Sequence, residues 1–155
     1  MAYRGAQWRD EEGSGLFTGE YQHSLDAKGR IILPARIRSQ LESGLVIHKW
    51  FDRCLAIVTP EEFESYAARV REGARANDPA ARSAMRWLFS GAHEDHVDKQ
   101  GRITVPEFLR EWAGLEREIT VVGTGPRVEV WDRQRWVQGQ PEVEAAMEGV
   151  TDLPL

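Results

Sequence analysis

Two stretches of this chain carry the same chemical groups at the same spacing. Ser24–Pro34 reads SLDAKGRIILP and His96–Pro106 reads HVDKQGRITVP. Each sets an aspartate, two intervening residues and a Gly-Arg pair, then an isoleucine, and a proline four residues beyond the arginine. Turn chemistry accounts for Asp26 and Gly29, and for Asp98 and Gly101. An aspartate caps a hairpin turn through its side chain, and glycine accepts a positive φ. It does not account for Arg30 and Arg102, because a residue that opens a strand needs no guanidinium. Two uses suit the arginine. It pairs with the aspartate four residues earlier, or it projects from the hairpin toward an anionic partner. The rigid fork of donors matches phosphates and the O6/N7 edge of guanine. A pair of such hairpins at equivalent places suits the straddling of a DNA groove.

The elements that must position these turns repeat as well. An offset of 72 residues aligns Gly19 with Gly91, Asp26 with Asp98, Arg30 with Arg102, Pro34 with Pro106 and Ile37 with Leu109. Slightly larger offsets match GLVIH with EITVV and LAIVTPEEF with VEVWDRQRW. Each unit reads strand, turn, strand, short helix, strand, turn, strand. Units of about 45 residues are too small to bury a good core alone, so the two must pack together. Between them, Thr59, Pro60 and Glu62 start one helix, and Asn77–Pro79 breaks it and caps the next. Asp132 is expected to cap a last helix over RQRWVQ, with a separate short one over PEVEAAME. GTGP at Gly123–Pro126 lacks the pattern of a dinucleotide loop and reads as a hairpin turn.

Composition narrows the partners. The chain has 155 residues and a net charge of −5, unevenly spread. Gln22–Arg53 holds six basic residues against three acidic ones, whereas Gln138–Leu155 holds four acidic residues and no basic one. Local charge steers a partner more than the total does. No apolar run is long enough to span a membrane, and no secretory leader is visible. The single cysteine, Cys54, reads as a small buried hydrophobe and fits a reducing cytoplasm. His93 and His96, with Glu94 and Asp95, have the residue types of a metal site. Strand spacing sends the two histidines to opposite faces, so no metal and no cofactor is expected. Asp26 and Asp98 as a catalytic pair would make the chain an enzyme, but no nucleophile or metal motif supports that. Six tryptophans offer area for core or subunit contacts.

GEYQHSLDAKGRIILPARIR and DKQGRITVPEFLREWAGLEREITVVGTGPRVEVWD resemble the two halves of the MraZ family of regulators of a bacterial division and cell-wall gene cluster. The resemblance covers about residues 17–137 and includes the Trp131-Asp132 pair. It implies an α+β fold of two tandem pseudo-repeated β-α-β units of AbrB-like swapped-hairpin type, packed as one double-barrel core with connecting and C-terminal helices. The units are expected at 17–64 and 91–137, with linking helices over 65–90 and an acidic, partly helical tail over 138–155. Residues 1–16, polar and glycine-rich, are expected to lack order and lie outside the resemblance. The implied partners are G-rich direct repeats in double-stranded promoter DNA and further copies of the chain in a closed ring larger than a dimer. The implied location is the cytoplasm, on the nucleoid, with no membrane or small-molecule ligand. The family's Asp-x-x-x-Arg motif maps onto Asp26/Arg30 and Asp98/Arg102. Lys28, Arg36 and Arg38 are expected to add charge near the first hairpin. Gln100 stands where the first turn has Lys28, so the second hairpin is expected to bind more weakly. The rival readings are an adaptor ring working through protein contacts and an enzyme using Asp26 and Asp98.

Overall fold

The computed structural model describes residues 15–73 and 77–152; the expectation of disorder at the N-terminus lies, up to residue 14, outside them. The first repeat contributes β1 (Glu20–Ser24), β2 (Arg30–Ile32), β3 (Leu45–Lys49) and β4 (Leu55–Val58). The second contributes β5 (His93–Asp95), β6 (Arg102–Thr104), β7 (Glu118–Gly123) and β8 (Val128–Asp132). The helices are α1 (Ala35–Arg38), α2 (Pro60–Gly73), α3 (Pro79–Ser90), α4 (Glu107–Ala113) and α5 (Arg133–Glu148). A turn of 3-10 helix, Ser39–Leu41, extends α1.

The repeats are not self-contained. The six-stranded antiparallel sheet runs β1-β7-β8-β4-β3-β5, and β2 pairs only with β6. Thus β1 of the first repeat lies against β7 of the second, from Glu20 opposite Val122 to Ser24 opposite Glu118. In the same way β5 of the second repeat lies against β3 of the first. The inner strands β4 and β8 join the halves, with Leu55 opposite Val130. The order is symmetric about that join, as a repeat with an internal pseudo-dyad requires.

The core follows the same symmetry. Ile31, Leu33, Ile37 and Leu41 are at most 1% exposed, and so are Val105, Leu109 and Ala113, while Ile103 is 2% exposed. These are equivalent positions of the two repeats, and they interleave in one cluster with Leu45, Leu55, Ile119 and Val130. Fully burying an aliphatic side chain of this size is worth about 1.5–3 kcal/mol. Neither repeat supplies enough such side chains alone, which is why they share one interior.

Local chemistry sets the helix limits. Thr59 Oγ1 accepts the Glu62 N–H at 3.1 Å. Asp78 accepts the Ala80 N–H at 3.0 Å ahead of Pro79. Gly114, at φ 63°, ends α4 in the left-handed region. The last helix differs from expectation. Asp132 does cap it, but it runs unbroken through Pro141 to Glu148. The proline removes the N–H that would bond the Val137 carbonyl; Val137 is exposed, so solvent satisfies that oxygen at low cost. The first strand of the second repeat is also shorter than EDHV. Asp95 Oδ1 accepts the His96 N–H at 2.8 Å and its Oδ2 the Thr104 N–H at 3.0 Å, which turns the chain out of β5.

The β3–β4 turn shows how α5 ties the repeats. Asp52 and Arg53 both hold positive φ, 62° and 58°, a costly state for residues with a Cβ. Arg135 of α5 stabilises it by donating to the carbonyls of Asp52 at 2.6 Å, Arg53 at 2.8 Å and Ala113 at 3.1 Å. Cys54 beside it is buried, with its thiol pushed up by burial, and donates weakly to the Phe51 carbonyl.

A second cluster forms on the other face of β3 and β4. Val46, Val58, Tyr66 and Leu88 bury there, with Trp50, Phe63 and Trp87 packed against them. His48 stands among Trp50, Phe63 and Tyr66 with ring centroids 5.4–5.7 Å away. Its Nδ1 lies 2.8 Å from the Lys49 carbonyl and so carries the proton, while the buried Nε2 has no partner. Burial first, and the nearby Arg127 cation second, push its pKa down to about 4, against a bond to the Lys49 carbonyl that raises it. The folded state therefore holds His48 neutral where the unfolded chain binds a proton. The stability it confers is complete above pH 6.5 and is lost as pH falls toward 4. Urea unfolding is expected to show a loss of about 3 kcal/mol across that window. His48→Phe is expected to remove most of the slope; an unchanged slope would place the effect elsewhere.

Candidate nucleic-acid interface

The two Asp-Arg turns meet on one ribbon. In β2–β6, Ile31 lies opposite Ile103, Arg30 opposite Thr104, and Ile32 opposite Arg102. Strand alternation sends Ile31 and Ile103 into the core. It leaves Arg30, Ile32, Arg102 and Thr104 on the outer face. The turns abut the partner strand as well: the Gly29 carbonyl accepts the Val105 N–H at 2.8 Å, and the Gly101 carbonyl accepts the Leu33 N–H at 3.0 Å.

Each aspartate works three bonds. Asp26 Oδ1 accepts the Lys28 and Arg30 N–H groups at 2.9 Å, and Oδ2 accepts Arg30 Nε–H at 2.7 Å. Asp98 Oδ1 accepts the Gln100 and Arg102 N–H groups at 2.9 Å, and Oδ2 accepts Arg102 Nε–H at 2.9 Å. The Arg30 backbone N–H is the largest cause that holds the Asp26 carboxyl below its ordinary value, followed on the lowering side by the Arg30 guanidinium; Arg102 does the same for Asp98. An exposed pair of this kind adds little stability. Its effect is to aim the arginine. The bond uses Nε, which leaves the Nη groups out of the hydrogen bonds to the aspartate. Side chains of Arg30 and Arg102 remain 27% and 25% exposed. A depressed, solvent-exposed carboxylate is the opposite of a general acid, and it is already committed to a turn.

The cations divide differently from the sequence expectation. Arg38 packs against Gly101 of the second turn, and α1 borders Val97 and Asp98 through Ala35 and Arg38. So Arg38 adjoins the second hairpin, while Arg36 is exposed on the same helix. The strand pairing causes this, because β2 delivers α1 to the far side of the ribbon. By the same symmetry Arg110 of α4 packs against Gly29 and donates to the Val105 carbonyl at 3.0 Å. Sequence reasoning missed Arg110, although the offset of 72 pairs it with Arg38. Gly29 and Gly101, at φ 76° and 80°, are needed twice, for the turn and for the room these arginines occupy. The second turn also carries a lysine, Lys99, one position before Gln100. The two tips differ in where their cations sit.

Of the other candidates, Asp95 touches the ribbon through the Thr104 N–H alone. His93 lies in β5, and His96 is exposed just beyond it. Among the described residues no group of three or more His, Cys, Asp or Glu side chains is placed to hold a metal. Thr124 N–H bonds the Arg127 carbonyl at 3.0 Å, so GTGP is a hairpin turn. Trp50, Trp87 and Trp112 pack within the chain, and the Trp131 ring meets that of Trp136 at a tilt, with centroids 5.6 Å apart. Among the described residues no helix is long and apolar enough to cross a membrane.

Fold and site together define a class: a mixed α+β protein of two interleaved repeats that presents a cationic ribbon suited to binding. The family model described as "MraZ protein, putative antitoxin-like" matches residues 16–86 and 88–151. Curated relatives carry the name Transcriptional regulator MraZ. That of Heliobacterium modesticaldum is 42% identical over 146 residues, 90% of this chain and 100% of the relative. That of Kineococcus radiotolerans is 47% identical over 131 residues, 84% and 91% of the two chains. That of Acetivibrio thermocellus is 40% identical over 137 residues, 88% and 95%. The chain belongs to the MraZ family. It is a family of transcriptional regulators, and the enzymatic reading is set aside.

The turns carry a pH test. A carboxyl lowered from 3.8 in the folded state stabilises its turn above that value and releases it as pH falls through the folded value. NMR titration is expected to place both carboxyl midpoints below 3.8, with amide protection at residues 28, 30, 100 and 102 falling in the same range. A midpoint at or above the ordinary value would contradict the bonding described.

Proposed function

We propose that the chain is a sequence-specific DNA-binding transcriptional regulator that acts in the cytoplasm, on the nucleoid. The observation that carries this reading is the pair of aimed arginines on one exposed two-stranded ribbon. A ribbon of this width fits the major groove, where each arginine fork matches a guanine edge. Lys28, Lys99, Arg36, Arg38 and Gln100 flank it and suit phosphate contacts, which position without reading sequence. Asp26, Gly29, Asp98 and Gly101 form the turns.

The exchange of β1 and β5 supports the finer fold reading, two AbrB-like swapped-hairpin units at 17–64 and 91–137 in a double-barrel core. The relatives' name supports a regulatory role, and the resemblance extends it to a division and cell-wall gene cluster. One ribbon alone gives weak, salt-sensitive binding, with nonspecific affinities of roughly 10⁻⁴–10⁻⁶ M. Several ribbons in one particle raise this by avidity. Head-to-tail contacts that close into a ring present every ribbon in the same sense, which suits G-rich direct repeats in promoter DNA.

Binding to DNA from upstream of the chain's own gene tests the reading. Arg30→Ala and Arg102→Ala are each expected to cost about 1–3 kcal/mol per site. Light scattering is expected to show the same particle, larger than a dimer, for wild type and variants. Unchanged affinity in both variants with the particle intact would contradict the proposal.

A further inference from the structure

The outer face of the ribbon holds one apolar side chain among its cations. Ile32 is 52% exposed, directly opposite Arg102 and two residues from Arg30 on the same strand. Exposed aliphatic residues are ordinary on protein surfaces. This one stands where a paired cation or hydroxyl serves an anionic or polar partner better, and its equivalent in the second repeat is Thr104. The two arginines are related by the pseudo-dyad, so they offer the same contact whichever way the ribbon lies on a duplex. Ile32 and Thr104 break that equivalence, because they stand at opposite corners of the face. The major groove contains one apolar group, the thymine methyl.

We propose that Ile32 is a specificity-determining residue that packs on a thymine C5-methyl group in the major groove beside the guanine read by an arginine, and so gives the ribbon a direction on DNA. The proposal rests on the DNA-binding reading above. Residues two apart on a strand lie about 6.6–6.8 Å from one another. With a rise of about 3.4 Å per base, the thymine read by Ile32 falls roughly two steps from the guanine read by Arg30. Thr104, opposite Arg30, offers a hydroxyl and one methyl there, so the two ends of the ribbon prefer different bases.

The test separates the methyl from the rest of the base. Tight sites are selected with the full chain from a random double-stranded library. Each thymine of the selected site is then replaced in turn by deoxyuridine, which removes the C5-methyl alone. Wild type is expected to lose about three- to fivefold in affinity at one thymine per repeat, the worth of one buried methyl group. Ile32→Ser is expected to bind the thymine site that much more weakly and to be indifferent to the replacement. Ile32→Val, which keeps a branched apolar end, is expected to stay sensitive. Selective sites that Arg30→Ala cannot bind, with no thymine sensitive in wild type, would overturn this inference and leave the DNA-binding reading standing. No selective enrichment at all would overturn both. A change of particle size in Ile32→Ser by light scattering would make Ile32 a subunit contact and overturn it as well.

Discussion

The pairing of β2 with β6 is the constraint on which the rest depends. Each is a three-residue strand that has no partner in its own repeat. Their union puts Ile31 against Ile103 at the centre of the interior and fastens each turn glycine to the opposite repeat. From this follow the exchange of β1 and β5, the shared core, and the placing of each short helix beside the other repeat's turn. A two-stranded ribbon alone is marginal in water. Here it is one wall of a core that both repeats complete.

The same pairing turns two weak local features into one site. A single Asp-Arg hairpin is a well-made turn with a spare guanidinium. Two of them, antiparallel and in register, become a face with arginines at opposite corners. The aspartates give up the conformational freedom of the arginines in advance, so less is lost when a partner binds. Arg38 and Arg110 brace the turns from behind, through the space that only glycine leaves open.

Much of this was legible in the sequence, and the reasons are physical. The Asp-x-x-Gly-Arg spacing prescribes a side-chain-capped turn, and the offset of 72 shows that it occurs twice. Thr59, Asp78, Asp132 and Gly114 mark helix ends by chemistry that acts within a few residues. What was not legible is which strand lies beside which. Period-two alternation in β1 and β2 serves equally for a hairpin within the repeat and for strands lent to the other. That ambiguity put Arg38 at the wrong turn and hid Arg110. Pro141 misled for another reason: a proline ends a buried helix, but an exposed one leaves its freed carbonyl to solvent.

On the proposed reading, one ribbon built from both repeats reads DNA with both arginines at once. Replacing each guanine of a bound site by 7-deazaguanine removes the N7 acceptor and leaves Watson–Crick pairing intact. Two sensitive guanines per repeat are expected, one losing its sensitivity only in Arg30→Ala and the other only in Arg102→Ala. Sensitivity that survives both variants, or that vanishes at both guanines with either one, would contradict it.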